Sequence, residues 1–169
     1  LTGCTFENNT AVGGGGMDNR YNSTPSLTNC TFKNNTADYG GGMQNIGSNP
    51  TLTDCTFTGN TTATDGGGGM SNDNSSPMLT DCTFTANTAA DGGGMSNENN
   101  CSPTLDGCTF ENNTADYGGG MLNDYCYPSS MMLTDCTFTG NTATSGGGMY
   151  NDYFSDPTLI TCTFENNTA

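Results

Sequence analysis

The apolar positions of the chain recur as one phrase, Leu-x-x-Cys-x-Phe, which runs into a polar Asn-Thr and then, after a gap, into Gly-Gly-Met-x-Asn. Its leucines are Leu1, Leu27, Leu52, Leu79, Leu105, Leu133 and Leu159, so successive copies are offset by 26, 25, 27, 26, 28 and 26 residues. A period of that length marks a supersecondary unit that cannot bury its own apolar face and has to stack on its neighbours.

Within one copy, Thr51-Leu52-Thr53 and Cys55-Thr56-Phe57 are β-prone runs with a period of two, which points Leu52, then Cys55 and Phe57, to one side. The odd step between Leu52 and Cys55 breaks a single alternation and predicts a bend at Asp54. A second corner is expected at Gly59-Asn60, and a third short strand at the Gly-Gly-Met run with Met70 inward. Glycine there permits close backbone approach and positive φ at the corners. A leucine-rich repeat would share the first half of the phrase. Its second half needs a helix or its equivalent, and several glycines at about 1 kcal/mol each relative to alanine deny it one.

The fold class expected is therefore all-β: a right-handed, single-stranded parallel β-helix with three short strands per coil, about 26 residues per coil and six-plus coils. Residues 1–169 read as one solenoid domain of six full repeats plus a partial one, without evident caps. Both ends stop in mid-phrase, which fits either a piece of a longer chain or open ends that stack on other copies. The interior ladders would be Leu27, Leu52, Leu79, Leu105 and Leu133; Cys30, Cys55, Cys82, Cys108 and Cys136; Phe32, Phe57, Phe84, Phe110 and Phe138; Asn35, Asn60, Asn87, Asn113 and Asn141; and Met43, Met70, Met95, Met121 and Met149. Inward asparagines would bond across coils and satisfy corner backbone groups.

Phe-x-x-Asn at Phe32/Asn35, Phe57/Asn60, Phe84/Asn87, Phe110/Asn113 and Phe138/Asn141, each followed by a Gly-Gly-Met phrase, resembles the paired repeats of chlamydial polymorphic outer-membrane proteins and related bacterial surface β-helices. The family usually carries an Ala-aliphatic pair where this chain has Gly-Met. The resemblance implies a secreted or surface-exposed solenoid, often an adhesin passenger or stalk.

Only 31% of the residues are hydrophobic, too few for a compact globule but enough for a thin apolar column. Seventeen acidic residues stand against two basic ones, Arg20 and Lys33, for a net charge of -15. That balance disfavours nucleic acid and anionic membrane surfaces as partners, and no apolar run is long enough to insert in a membrane. There is no His and no Trp. A carboxylate pair can hydrolyse a glycoside, but the aspartates recur with the repeat instead of gathering in one coil. The chain is read as no enzyme, with no cofactor and no metal.

The seven ladder cysteines suit no metal motif and serve as small apolar residues. Cys101 and Cys126 fall outside that ladder at nearly matching phase, and a disulfide between them is expected, which would imply an oxidising setting. Thr5, Thr31, Thr56, Thr83, Thr109, Thr137 and Thr163 lie between inward Cys and Phe and face outward. Such a rank serves β-propensity first, with ordered water, ice or O-linked sugar as alternatives. N-linked acceptor triplets begin at Asn8, Asn22, Asn29, Asn34, Asn60, Asn74, Asn100, Asn112 and Asn166. In so Asn-, Ser- and Thr-rich a chain they permit glycosylation without indicating it. Asp54, Asp81 and Asp135 at the bend, with Asp65 and Asp91, would attract loose counterions rather than build a Ca²⁺ site.

Function is thus expected to be that of an extracellular or cell-surface structural solenoid, a segment of a fibre or stalk that stacks end to end on copies of itself. The alternative is an adhesin that meets carbohydrate or a host surface through variable loops at 19–24 and 123–130. Tyr21, Tyr125, Tyr127, Tyr150, Tyr153 and Phe154 would be its contact residues. An ice-binding or glycan-active β-helix is the remaining possibility.

Overall fold

A computed structural model describes residues 1–127 and 130–169. Every named strand pairs in parallel with its equivalent one repeat away. Leu27 pairs with Leu52, Phe32 with Phe57 and Met43 with Met70, so the repeat period is also the hydrogen-bonding period. Six strands from Ser26–Thr28 to Thr158–Ile160 form a leucine sheet. Seven from Thr5–Glu7 to Thr163–Glu165 form a phenylalanine sheet, and six from Met17–Arg20 to Met149–Asn151 form a methionine sheet.

Three strands per coil is an incomplete count. A fourth ladder, the threonine corner, joins Thr10–Gly13, Thr36–Tyr39 and Thr61–Thr62 as a small sheet. It continues as single bridges through Thr88, Thr114, Thr142 and Thr168. The chain is extended here for only one or two residues in later coils, too short a run to show as alternation in sequence.

The corners are single left-handed residues. At the first bend Asn29, Asp54, Asp81, Asp135 and Thr161 have φ between 51° and 53°, with Gly3 and Gly107 completing the set at 62° and 63°. The second bend falls one residue before each inward asparagine, at Asn34, Gly59, Ala86, Asn112 and Gly140. Asn, Asp and Gly visit this region at least cost, which explains their recurrence at these phases.

In the glycine run Gly40, Gly92, Gly118 and Gly146 are left-handed, and the glycines after them answer to space. A Cβ on Gly93 would lie 2.5 Å from the Gly119 carbonyl oxygen and 2.6 Å from that of Thr114. One on Gly94 would lie 2.8 Å from the Phe110 ring. The methionine side and the threonine corner approach so closely that only glycine fits between them.

Inside, Phe32, Phe57, Phe84, Phe110 and Phe138 are fully buried. With Phe6 and Phe164 they form a column whose ring centroids are 4.6 to 4.8 Å apart with planes within 5° of parallel. Each such rung contributes on the order of 1.5–3 kcal/mol by burial. Leu27, Leu52, Leu79, Leu105, Leu133 and Met43, Met70, Met95, Met121 line the same interior, while Met149 is half-buried.

The asparagine column carries the polar load. Asn60 donates its backbone N–H and its Nδ2 to Asn87 Oδ1 at 2.9 and 3.0 Å, and Nδ2 also donates to the Phe32 carbonyl at 2.9 Å. The same set repeats from Asn35 through Asn141, all fully buried. A buried amide so fully matched incurs little desolvation loss.

Candidate functional surface

Two further inward ladders were not separated by the sequence reading. Asn45, Asn72, Asn97 and Asn123 pass Nδ2–H···Oδ1 bonds of 2.7 to 2.8 Å from coil to coil. Their signal was the Asn two residues after each Met, on the same face by the strand period. Beside them, Ser48 accepts the Ser23 backbone N–H, Ser75 accepts that of Ser48, and Cys101 Sγ accepts that of Ser75 at 3.5 Å. Cys126 in turn donates its backbone N–H to Ser155 Oγ.

The expected Cys101–Cys126 disulfide is therefore corrected. Both are free, fully buried thiols that occupy serine rungs of an inward ladder, not a variable outer loop. Their sulfurs donate to the Glu98 and Asn97 carbonyls. The neighbouring thiol first and burial second push Cys55, Cys101 and Cys108 far above the usual thiol range, so these groups are neutral and poor nucleophiles. Cys30, Cys55, Cys82, Cys108 and Cys136 each donate to the carbonyl two residues back.

With the interior saturated, chemistry is left to the outside. Thr5, Thr31, Thr56, Thr83, Thr109, Thr137 and Thr163 stand in direct register on the phenylalanine sheet. The second outward rank of that sheet runs Glu7, Lys33, Thr58, Thr85, Glu111, Thr139, Glu165, so charges break any flat threonine plane. The threonine corner adds an uninterrupted rank, Thr10 to Thr168, that the sequence reading passed over.

The acceptor triplets are explained by this geometry. Eight of their asparagines, all but Asn60, are exposed and have φ between 48° and 64°, while Asn60 is fully buried in its column. A left-handed corner Asn, one further residue and then a Thr or Ser spell the triplet as a by-product of turning the chain.

The outer face of the methionine sheet differs from these regular faces. A cavity of about 330 Å³ runs along it, lined by Asp65, Asp91, Glu98, Tyr117, Leu122, Asp124, Tyr150 and Asp152. A second of about 340 Å³ shares Asp65 and Glu98 with it and continues to Arg20 and Val12. Burial first, and neighbouring carboxylates after it, raise Asp91, Glu98 and Asp124 above the ordinary carboxylate range.

Aromatic rings collect at the same end. Tyr125 stacks on Tyr153 at 4.2 Å, Tyr127 meets Phe154 edge-on at 6.3 Å, and Tyr117 tilts against Tyr150 at 5.4 Å. Tyr125, Tyr153 and Phe154 hold φ of 51°, 42° and 62° at a corner where other coils use Gly47 and Asn74. Pro128 and Ser129 of the loop at 123–130 lie outside the described residues. Among the described residues no three His, Cys, Asp or Glu side chains converge as a metal-ligand set, and no helix is long and apolar enough to cross a membrane.

The parallel register and the coil period meet the description of the right handed beta helix region, which matches residues 1–126. The chain belongs to the right-handed β-helix family. The Chlamydia polymorphic membrane protein repeat matches this β-helix at residues 135–148, which hold the Cys136, Phe138 and Asn141 rungs and the Gly-Gly-Gly run before Met149. No curated protein matches, and no solved structure does.

Proposed function

We propose that this β-helix is a non-catalytic, surface-displayed structural segment, a length of fibre or stalk of the passenger type. The observation that carries the reading is the unbroken register of the phenylalanine sheet from Thr5 to Thr163, in which each rung is the template for the next. A rung added at either end, by adjoining chain or by another copy, would extend every ladder without new chemistry. The repeat of the polymorphic membrane proteins at residues 135–148 supports a surface location. The lack of histidine and the spread of carboxylates along the rungs support the absence of catalysis.

Fibre diffraction and negative-stain imaging of concentrated protein test this reading. Rods that lengthen with concentration and diffract at about 4.8 Å along their axis are expected. Particles of fixed length at every concentration would remove the self-stacking copy as a partner.

The adhesin alternative has its own support in the tyrosines held at left-handed corners. Tyr21 is 87% exposed and Phe154 77%, so neither ring contributes to the core. Under this reading the regular ladders carry the loops, and the loops meet a host or matrix surface. Loss of cell adherence on replacing Tyr125 and Tyr153, with rod structure intact, is the expected outcome.

A further inference from the structure

The last two coils place rings and carboxylates together on the outer methionine face, and among the described residues no Lys or Arg lines the cavity there. Tyr117 and Tyr150 line the cavity, and the stacked Tyr125 and Tyr153 each follow one of its aspartates in sequence. Asp124 and Asp152 line the same cavity as Tyr117 and Tyr150. Asp152 is the main cause of the raised Tyr150 hydroxyl, and both aspartates act on Tyr125 after burial and its Tyr153 neighbour. Asp124 Oδ1 is shut off from solvent, yet no hydrogen bond reaches it among the described residues. A desolvated carboxylate oxygen without a donor is costly, and a hydrogen-bond donor brought to it relieves that cost. The two cations of the chain are engaged elsewhere, Arg20 with Asp18 and Lys33 with Glu7, both at 2.8 Å in the first coils.

We propose that this face binds an arginine-bearing segment of a partner protein, the guanidinium lying against the tyrosine rings with its N–H groups on Asp124 and Asp152. Charge complementarity selects a cation, because the chain is at -15 and the patch holds only acids. The rings select arginine over lysine, since a guanidinium is planar, weakly hydrated and stacks on aromatic faces while still donating in its plane. Two neighbouring cavities that share Asp65 and Glu98 select a segment over a single small cation. The proposal rests on the reading of the chain as surface-displayed and names the chemistry of what its loops meet.

The test is a titration of the whole chain with a fluorescein-labelled Gly-Arg-Gly-Arg-Gly peptide, with the lysine and glutamine versions of that peptide alongside. Arginine should bind more tightly than lysine, and glutamine not at all. Tyr125→Asn and Tyr153→Asn remove a ring each but keep a residue that Asn74 and Asn99 show to suit left-handed backbone in this region. Each should weaken arginine binding about two- to fivefold. Asp124→Asn should weaken it about tenfold. Asp106→Asn, which removes the same charge from the leucine sheet, should leave binding unchanged, and circular dichroism checks that every variant folds. Equal losses from Asp106→Asn and Asp124→Asn would mean diffuse attraction and overturn the proposal. So would shifts of the tyrosine ring NMR signals by maltohexaose or chitohexaose but not by the arginine peptide, which would assign the face to sugar. Antibody labelling of intact producing cells separates the two levels. A displayed chain indifferent to the peptide refutes this proposal alone, whereas an undisplayed chain refutes the reading beneath it.

Discussion

Each coil turns several times through left-handed backbone, and two of its corners treat their side chains in opposite ways. Before the inward asparagine the corner residue is Asn34, Gly59, Asn112 or Gly140, with Ala86 the one exception, and the next residue is always Asn. After the methionine strand the corner is Tyr21, Gly47, Asn74, Asn99, Tyr125 or Tyr153. The first corner feeds a buried amide bonded on both sides, so any change there propagates into neighbouring rungs. The second needs only its backbone angle, so its side chain is free to differ. Repetition marks construction in this chain, and variation marks the positions that construction leaves free.

The sharpest way to break that contrast is to attack construction. Gly93→Ala would bring a Cβ to 2.5 Å from the Gly119 oxygen and 2.6 Å from that of Thr114, both backbone atoms that cannot yield. A loss of more than about 4 kcal/mol is expected, seen as collapse of the urea transition followed by circular dichroism. Asn87→Ala comes next. It removes the acceptor of the Asn60 backbone N–H and Nδ2 and the donor to Asn113 Oδ1 and the Phe57 carbonyl. Stranding these buried groups should cost about 3 kcal/mol in the same measurement.

These two sites also mark what a sequence can and cannot disclose here. Leu52, Cys55 and Phe57 announce an inward face because strand alternation has a period of two, and the bend at Asp54 follows from the one odd step. The threonine corner is short and sits between two turns, so no alternation develops there. The methionine-face cavity joins Asp65, Glu98 and Asp124, which lie in different coils, and nothing in one repeat announces the other. Cys101 and Cys126 misled for a related reason. Their phase matched, but whether a loop position points in or out is decided by the serine ladder it joins.

Gain of stability probes the contrast from the other side. Ala86 holds φ of 53° where its equivalents are Asn or Gly. Ala86→Gly should stabilise by about 1 kcal/mol, because glycine occupies that region without the Cβ clash. Tyr125→Asn, at φ 51°, should also stabilise, by less than Ala86→Gly because the stack on Tyr153 is lost. A loss of stability in Tyr125→Asn would mean that this ring builds the fold, and the distinction between the two corners would fail at that coil.

The smallest effect expected is in pH. The asparagine ladders inside are neutral amides, whereas the outer methionine face holds Asp91, Glu98 and Asp124, each raised by burial and then by its neighbours. A carboxyl whose folded value lies above its unfolded one binds more protons in the folded state, so the stability of the fold falls as pH rises through that interval. On acidification from neutral pH the melting temperature should therefore climb as these groups take up protons. The climb should end near the ordinary values of 3.8 for Asp and 4.5 for Glu. All three side chains keep contact with solvent, which screens their repulsion and limits the gain. Asp124→Asn removes one raised carboxyl from the face and should flatten the profile. Asp106→Asn, which removes a charge from the leucine sheet and none from this face, is the comparison. If the two variants flatten it equally, the tension belongs to the net charge of the whole solenoid and not to this face.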